Sequence, residues 1–394
     1  MYSALPHAAD SPASTPGKPL RLLQVGKHFH PDVGGIETVT KSISDMLAGQ
    51  NIQADVLCTG LHSRGDEDLG DYRVIRCTPE IRISNKTISS RYVRQVRALH
   101  ASHDVALLHV PNPIGEAAAL AFWRKPLIVL WHAEFPEGRL KRIGDVLDGR
   151  IVRRAEAILA PTEVHLSASP HAKAARGKSH VIPFPYDRHR LPNATSTSEA
   201  ARRVAAMARG RPVILAAGRL VEYKGFGVMI EAAATLGGEA LFVIAGGGQL
   251  LDPLEAQVER QGLTDDVLVL GSVSDPEMAD LLAIASFGCM PSLTRQEMYG
   301  LTQVEMMAAG KPMVTSDIPG SGVSCVNRDG ETGLLVPVGD PHALAAALRS
   351  LIRDRVLYDR LAAGAARAVA EQYDADVLAP QYAKLIRSVV ANAR

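Results

Sequence analysis

Short apolar runs alternate with amphipathic segments along most of the chain. Residues 22–25 form an apolar run that ends at Gly26, and from Gly35 onward the apolar positions recur at the three- and four-residue spacing of a helix. Further apolar runs follow at 54–58, 105–108, 127–130 and 157–160. Short buried strands that alternate with helices predict a parallel sheet covered by helices on both faces.

The alternation stops near Pro183 and then begins again. New strands are predicted at 212–216, 240–245, 267–270, 287–290, 312–315 and 333–336. A chain of 394 residues is too long for one core, so two doubly wound α/β domains are predicted over 20–190 and 205–375, joined by a polar linker at 191–204. Residues 1–19 are predicted to be a disordered tail, and 376–394 a helix that packs back toward the first domain.

Doubly wound sheets bind ligands outside the carboxyl ends of their strands. Two such sheets in series therefore predict a ligand site in the cleft between the domains.

Composition excludes several classes of protein. Hydrophobic residues make up 46% and charged residues 22% of the chain, as in soluble globular proteins and unlike disordered or collagen-like chains. The apolar stretch from residue 105 to residue 135 is interrupted by charged residues and prolines, so no transmembrane helix is predicted. The four cysteines lack metal-ligand spacing, which favours reduced, buried thiols in a cytoplasmic protein.

The segment 297–305 carries two glutamates, and a helix is predicted over 301–309, stopped by Gly310 and Pro312. Glu297 then lies in the loop before this helix and Glu305 lies on it. The helix has almost no polar face, so an ionised Glu305 needs partners, and ligand hydroxyls are suitable ones. Helix N-termini bind anions through their exposed amides, which predicts an anion site at Gly300, Leu301 and Thr302. A solvated helix face is the alternative for the two glutamates.

This segment resembles the E-x7-E signature of the retaining glycosyltransferases of family 4, which have the GT-B fold of two facing Rossmann-like domains. The resemblance extends over about residues 21–375, with Tyr299 standing where the family commonly has Phe. In the first domain, residues 31–37 resemble the family's glycine-rich loop, which contains Gly34 and Gly35. In the second, residues 217–220 and 224–225 resemble its phosphate-binding segment, and 244–248 its G-x-G stretch, with the matched residues Gly218, Arg219, Lys224, Gly246 and Gly248.

The resemblance implies roles for these residues. Arg219 and Lys224 would neutralise the departing diphosphate, as charge-assisted hydrogen bonds allow without a metal ion. Glu305 would bind the ribose of the nucleotide, Glu297 the hydroxyls of the transferred sugar, and the amides of residues 300–302 the donor. Glycines have no Cβ, so their backbone amides can approach the diphosphate closely. A surface ion pair is the alternative for Arg219 and Lys224, and a simple tight turn for Gly34 and Gly35.

Four histidines precede or follow predicted strands in the first domain. His132 follows the strand at 127–130, where the family has a histidine that contacts the donor sugar. The residues implied in catalysis are thus His132, Arg219, Lys224 and Glu297. His28, His30 and His109 are candidates for the acceptor pocket, although ordinary loop histidines are an equally open interpretation.

Two basic clusters lie in the first domain: residues 139–154, and a second set formed by Arg82, Lys86, Arg91, Arg94 and Arg97. Such surfaces can dock a protein onto anionic lipid, with a solvated helix face as the alternative. Members of the family often glycosylate lipid-linked acceptors at the inner membrane face, so the resemblance implies that a cytoplasmic protein of this kind can be peripheral on the inner face of the inner membrane. Nucleic acid is not an expected partner, because aromatic residues make up only 5% of the chain. No cofactor and no metal site are expected, since no Asp-x-Asp pair follows a strand and no Cys/His cluster offers zinc ligands.

The resemblance implies transfer of a hexosyl group from a nucleotide sugar to a hydroxyl of a glycan or polyprenyl-linked oligosaccharide. Residues 319–323 and 327–336 are similar to bacterial polysaccharide and lipopolysaccharide O-antigen enzymes, which favours GDP-mannose or GDP-rhamnose as donor. A sugar-nucleotide 2-epimerase or hydrolase of the same fold and a noncatalytic nucleotide-sugar binder remain alternatives. A dinucleotide oxidoreductase is disfavoured because neither half has G-x-G-x-x-G at its first strand-to-helix turn.

Overall fold

The computed structural model describes residues 18–32, 34–60, 65–83, 86–134, 141–191, 193–195 and 197–393, with the backbone alone for 82, 83 and 86. The tail predicted over 1–19 lies outside these residues except for 18 and 19. Residue 33 of the glycine-rich loop and residues 139 and 140 of the first basic cluster also lie outside the described residues.

The first domain is built on a sheet that has eight strands among the described residues, with a separate hairpin formed by β5 and β6. Its strands are β1 Leu20–Val25, β2 Ile52–Thr59, β3 Glu67–Asp68, β4 Arg73–Cys77, β5 Ile81–Ile83, β6 Lys86–Ile88, β7 Val105–Val110, β8 Leu127–Trp131, β9 Ala157–Ala160 and β10 Ser179–Val181. Its helices are α1 Gly35–Ala48, α2 Ser90–Leu99, α3 Pro113–Phe122, α4 Lys141–Arg154, α5 Glu163–Ser167 and α6 Ala172–Ala175.

The second domain follows with a parallel sheet of six strands among the described residues. Its strands are β11 Val213–Ala217, β12 Leu241–Ala245, β13 Val267–Gly271, β14 Phe287–Met290, β15 Met313–Asp317 and β16 Gly333–Pro337. The helices are α7 Glu199–Ala208, α8 Phe226–Leu236, α9 Leu251–Arg260, α10 Asp275–Ile284, α11 Leu301–Ala308, α12 Val323–Val326, α13 Pro341–Arg353, α14 Arg355–Ala368 and α15 Ala375–Asn392. A 3₁₀ turn spans Glu222–Lys224, and a π-helical turn spans Val369–Tyr373.

Strand order confirms the predicted pair of doubly wound sheets. The first sheet runs β10-β9-β8-β7-β1-β2-β4-β3, and the second runs β13-β12-β11-β14-β15-β16. In each sheet the chain first adds strands on one side of its first strand and then on the other. The reversal leaves a crevice between β1 and β7 and another between β11 and β14, and ligands of open α/β sheets bind at such points.

Successive residues of a strand point to opposite faces of the sheet, and in both sheets the residues on each face are apolar and buried. In β1, Leu22 packs with the helices on one face and Leu23 with those on the other. In β11, Ile214 likewise packs on one face of the second sheet and Leu215 on the other. All eleven predicted strands are present, and each of their ends lies within two residues of the predicted one.

The sequence analysis did not predict β4. Its sequence, Arg-Val-Ile-Arg-Cys, places two charges in what is a buried strand. The Arg76 side chain is only 3% exposed, and it is accommodated because its guanidinium donates to Glu67 at 3.1 Å and to the His30 carbonyl at 2.5 Å. Glu67 lies on the two-residue strand β3 and His30 in the loop after β1, and hydrophobic periodicity identifies neither of them as a partner of Arg76.

The two domains share one hydrophobic core cluster and are linked by the end of the chain. Tyr186 donates its amide to the Tyr373 carbonyl at 2.7 Å and accepts from the Ala375 amide at 3.0 Å. Helix α15 then packs against α1, and the Tyr382 hydroxyl donates to the Pro183 carbonyl at 3.0 Å. Among the described residues, no helix combines the length and apolarity needed to cross a bilayer.

Candidate active site in the interdomain cleft

Three loops of the second domain meet beyond the carboxyl ends of β11, β12 and β14. Gly246 has a φ of +148°, and a Cβ there would overlap the Gly218 carbonyl. Gly218 itself has a φ of +150°. A Cβ on Gly248 would fall 2.7 Å from the Leu220 amide nitrogen. The loops therefore stack backbone against backbone, an arrangement that residues with a Cβ do not allow.

Lys224 and Glu297, predicted separately, form an ion pair at this point. The Lys224 Nζ lies 2.5 Å from the Glu297 Oε2, and the Ser292 hydroxyl donates to the same oxygen at 3.1 Å. A Cβ on Gly218 would lie 3.4 Å from the Lys224 Nζ, so Gly218 leaves the space that the ammonium group occupies. Glu297 is 6% exposed, and a buried carboxylate of this kind requires such partners.

Helix α11 begins beside this pair. Gly300 starts it with a φ of +74°, and a Cβ there would lie 2.7 Å from the Met290 Cε. The Thr302 hydroxyl donates to the Ala217 carbonyl at the end of β11, at 3.3 Å. Across the cleft, a Cβ on Gly35 would lie 3.4 Å from the Leu301 Cδ1. The N-termini of α1 and α11 therefore face each other, and the first amides of a helix have no partner within it.

Glu305 is held by an arginine that the sequence analysis missed. Arg190, the last residue of the first domain, donates its guanidinium to the Glu305 Oε1. Burial raises the pKa of Glu305, and the neighbouring Arg190 opposes that rise. An ionised carboxylate has about four acceptor positions, so one arginine leaves capacity for ligand hydroxyls.

His132 is fixed by a buried hydrogen-bond chain. Its Nε2 lies 2.9 Å from the His109 Nδ1, and the His109 Nε2 lies 2.9 Å from the Gln24 Oε1. Gln24 donates its amide to the Thr40 carbonyl at 3.1 Å and to the Ser44 hydroxyl at 2.6 Å. Because a carbonyl only accepts, the Gln24 oxygen faces His109, so the His109 Nε2 carries the proton. The His132 Nε2 is then protonated as well, and its Nδ1 holds a lone pair.

Both histidines are neutral near pH 7. Burial lowers the pKa of His109 to about 3 and the pKa of His132 well below its ordinary value. The His132 ring stacks on Phe184, with centroids 4.8 Å apart, and Phe184 contacts the Tyr299 ring at 4.9 Å. This column of rings connects His132 to the segment that carries Glu297. The sequence analysis missed Phe184 because it lies between two prolines, where the strand pattern stops.

The other predicted residues are more dispersed. Arg219 is exposed, with its Nη2 3.4 Å from the Tyr223 hydroxyl. His30 lines an open cavity that also includes Arg190. The His28 Nδ1 lies 3.1 Å from the Thr59 carbonyl, and its ring is buried.

The sequence analysis named His109 as a candidate for the acceptor pocket, and its position in the structure does not fit that role. Its ring is 1% exposed and both ring nitrogens are engaged, so it supports His132 from behind instead of lining a pocket.

Comparison with known proteins agrees with this architecture. Residues 34–185 match the glycosyl transferase 4-like domain, and residues 197–368 match the family of glycosyl transferases group 1. The chain is 30% identical over 337 residues to the D-rhamnosyltransferase WbpZ of Pseudomonas aeruginosa, covering 84% of this chain and 86% of that protein. It is 26% identical over 381 residues to the O-antigen chain mannosyltransferase C of Escherichia coli, covering 94% and 99%.

Solved structures show the same fold. Sucrose-phosphate synthase from Thermosynechococcus elongatus superimposes with a TM-score of 0.80 at 17% identity, covering 95% of this chain and all of that one. Anabaena Alr3699/HepE in complex with UDP and glucose superimposes with a TM-score of 0.75 at 19% identity, covering 94% of this chain and all of that one. Taken with the two doubly wound sheets and the matched domains, these similarities show that the chain belongs to the glycosyl transferases group 1 and is a glycosyltransferase of the GT-B fold.

Proposed function

We propose that this glycosyltransferase moves a hexosyl group, with retention at the anomeric carbon, from GDP-mannose or GDP-rhamnose to a hydroxyl of a glycan or lipid-linked oligosaccharide. The observation that carries the proposal is the convergence of Lys224, Glu297 and the N-terminus of α11 at one point of the cleft, opposite the start of α1. The named relatives, a mannosyltransferase and a rhamnosyltransferase, support this choice of sugar and a place in cell-surface polysaccharide synthesis.

The leaving diphosphate would be stabilised by charge. In the proposed reaction, the bond from the anomeric carbon to the phosphate oxygen breaks while a bond to the acceptor oxygen forms on the same face. The phosphate oxygen takes the acceptor's proton. Lys224, Arg219 and the first amides of α11 would neutralise the negative charge as it grows, which lowers the barrier without a metal ion.

The remaining residues would orient the donor. Glu305 would accept hydrogen bonds from the ribose while Arg190 favours its ionised form, and Glu297 would bind hydroxyls of the sugar. The lone pair on the His132 Nδ1 makes that atom an acceptor, so it would hold a sugar hydroxyl next to the reacting carbon. Because the ring column and the Gln24 chain already fix His132, little ordering is left for the substrate to induce.

We also propose that the first domain works at the inner membrane face, with α4 as the contact. Ile143 and Val146 are 60% and 52% exposed on this helix, beside exposed Arg142, Arg150 and Arg153. Apolar side chains among basic ones are typical of helices that lie on anionic bilayers. Serine at the three arginines should reduce binding to anionic vesicles about a hundredfold, because each contributes about 1 kcal/mol. Equal binding of the variant and the wild type to vesicles would contradict this contact.

The donor is tested with a panel of GDP-mannose, GDP-rhamnose, UDP-glucose, UDP-N-acetylglucosamine and ADP-glucose. The true donor at 100 times its dissociation constant should stabilise the fold by about 2.7 kcal/mol, seen as a higher melting temperature. NMR of the product should show an anomeric configuration equal to the donor's, and an inverted product would reject retention. Release of sugar or a 2-epimer from donor alone, with no transfer to any acceptor, would instead identify a hydrolase or epimerase.

A further inference from the structure

Arg295 joins the two domains at a point two residues before Glu297. Its Nη2 donates to the Glu134 carboxylate of the first domain at 2.9 Å and to the Ala168 carbonyl, which follows α5, at 3.4 Å. Its Nε donates to the Gly320 carbonyl of the second domain at 3.1 Å. A guanidinium carries five N–H donors in one rigid plane, so a single side chain can bond three separate segments at once.

The loop at 320–322 also holds the backbone of the segment that carries Glu297. The Ser321 hydroxyl donates to the Glu297 carbonyl. The Gly322 amide donates to the Met298 carbonyl at 2.9 Å. The position of this loop therefore sets the position of Glu297 in the cleft.

The same loop contacts the first domain directly. A Cβ on Gly322 would lie 2.8 Å from the Thr162 Oγ1 and 3.0 Å from the His165 Cε1. Both of these first-domain side chains are buried, so a side chain at residue 322 would overlap them, and glycine permits the close approach. The sequence analysis singled out residues 319–323 only for their similarity to other enzymes, and the structure places them at the contact between the domains.

The Arg295–Glu134 ion pair connects two segments that other bonds already hold. On its first-domain side, Glu134 lies two residues after His132, whose ring is fixed by hydrogen bonds. The side chains of Arg295 and Glu134 are 37% and 25% exposed, and ion pairs of this exposure contribute little to stability. Their geometry matters more, because small misplacements of groups around a reacting centre cost rate heavily.

We propose that Arg295 is a positioning residue for sugar transfer and acts through its ion pair with Glu134. The pair holds the segments of His132 and Glu297 at a fixed separation across the cleft. This role rests on the proposed contacts of His132 and Glu297 with the donor sugar. The proposed contacts with the diphosphate and the ribose do not involve Arg295, so binding of the nucleotide alone should not depend on it.

The test is a double-mutant cycle in the full chain, with Arg295→Gln, Glu134→Gln and the variant that carries both substitutions. Each single variant should lower kcat about 10-fold at saturating substrates, while the dissociation constant of the donor's nucleoside diphosphate, GDP in the proposed reaction, stays within about twofold. The double variant should be no slower than either single variant, because the second substitution has no ion pair left to break. A residue that served stability alone would not separate kcat from nucleotide binding.

The matched control is the ion pair between Arg349 and Glu239, which lies within the second domain. Its N–O distance is also 2.9 Å, and its side chains are 31% and 28% exposed. Arg349→Gln and Glu239→Gln should leave kcat unchanged. Arg295→Lys keeps the charge that Glu134 needs and should turn over faster than Arg295→Gln.

Small-angle X-ray scattering gives a second readout that needs neither acceptor nor donor. Arg295→Gln should have a larger radius of gyration than the wild type, because the domains lose a bond that holds them together, whereas Arg349→Gln should not. A wild type that transfers no sugar from any donor would reject the proposed function, and equal radii in Arg295→Gln and the wild type would then overturn the positioning role as well.

With an active wild type, the kinetic cycle decides. A kcat of Arg295→Gln within about threefold of the wild type would overturn the proposal. Additive losses in the double variant would overturn it too, since they would show that Arg295 and Glu134 act separately on the substrates. If a different nucleotide sugar proves to be the donor, the cycle is measured with that sugar, and only the proposed donor is rejected.

Discussion

The two faces of the cleft use different chemistry. On the first-domain face, His132 is neutral, buried and fixed by hydrogen bonds to neutral groups. On the second-domain face, the polar groups are charged and paired: Lys224 pairs with Glu297, and Glu305 pairs with Arg190 from the end of the first domain. On the first face the orientation of His132 is thus already fixed by hydrogen bonds. On the second face the charged groups are paired with each other, and a substrate would have to compete for them.

This difference has a physical consequence for binding. An incoming diphosphate would draw Lys224 away from Glu297, and the two lone charges would then need new partners, since buried unpaired charges are costly. A sugar hydroxyl donating to Glu297 supplies one of them. In the proposed reaction the second face would therefore couple recognition of phosphate to recognition of sugar, while the first face would need no such exchange. Substitutions that remove a charge from the second face should therefore reduce turnover or donor affinity strongly. Substitutions of the neutral groups on the first face should have weaker effects.

The largest effect is expected at Lys224. Lys224→Ala should lower turnover about 10²–10³-fold at saturating donor, with a smaller change in donor affinity, because the phosphate charge grows toward the transition state. Steady-state kinetics measures both quantities. Lys384→Ala on α15, an exposed lysine, is the control and should behave as the wild type. Turnover of Lys224→Ala within about threefold of the wild type would remove it from the reaction.

Glu305 should affect donor binding next most strongly. Glu305→Gln keeps the shape of the side chain but removes its charge, so the donor should bind more weakly by about 1.5–3 kcal/mol, roughly 10- to 150-fold in dissociation constant. Calorimetry with the donor measures the change. Asp275→Asn is the matched control, since Asp275 lies 4.0 Å from the same Arg190 but is exposed. If the two variants lose equal affinity for the donor, the loss arises from the changed environment of Arg190 and not from a lost contact between Glu305 and the ribose.

The sequence predicted most of the fold, and it named charged residues that the structure brings together in the cleft. Apolar runs such as 127–130 and 287–290 lie in fully buried parallel strands, where periodicity and burial coincide, and the structure contains both strands. Glu297 and Lys224 could be named because each follows a strand within a segment of recognisable pattern. Their direct contact could not be predicted, because the two residues are 73 positions apart in the sequence.

The neutral face was harder to predict for a related reason. The chain from Gln24 through His109 to His132 joins three strands, and each residue alone looks like an ordinary polar residue in an apolar run. His109 was consequently named as a candidate for the acceptor pocket, although its ring is buried and both of its nitrogens are engaged. Arg190 and Phe184 were missed because they lie at the end of the first domain, after its last predicted strand, where hydrophobic periodicity gives no information.

The buried histidines should make stability depend on pH. Their pKa values are lower in the folded chain than the ordinary value of about 6.5, so below that pH the unfolded chain binds protons that the folded chain does not. This contribution to stability is complete above pH 6.5 and is lost as pH falls, by about 1.4 kcal/mol per unit for each histidine.

His109→Phe keeps a ring in place and should make this slope shallower by about that amount between pH 6 and 5. Urea unfolding at several pH values measures the slope separately from the overall loss of stability. His342→Gln, at an exposed histidine of the second domain, should leave the slope unchanged. An unchanged slope in His109→Phe would mean that His109 takes up a proton while folded, contrary to its neutral role.

The smallest effect is expected at Tyr299, where the two faces meet. Its ring contacts Phe184, but its hydroxyl is buried and has no hydrogen-bond partner of good geometry among the described residues. Tyr299→Phe, which introduces the residue common in the family, removes an unsatisfied polar group and keeps the ring. The free energy of unfolding should therefore stay equal or rise by about 1 kcal/mol, the lower end of the cost of an unsatisfied buried polar group, with the melting temperature as the measurement. Phe184→Leu is the contrasting variant, because it breaks the ring column itself and should destabilise the fold. A marked loss of stability in Tyr299→Phe would show that the hydroxyl has a partner and that the junction of the two faces is polar.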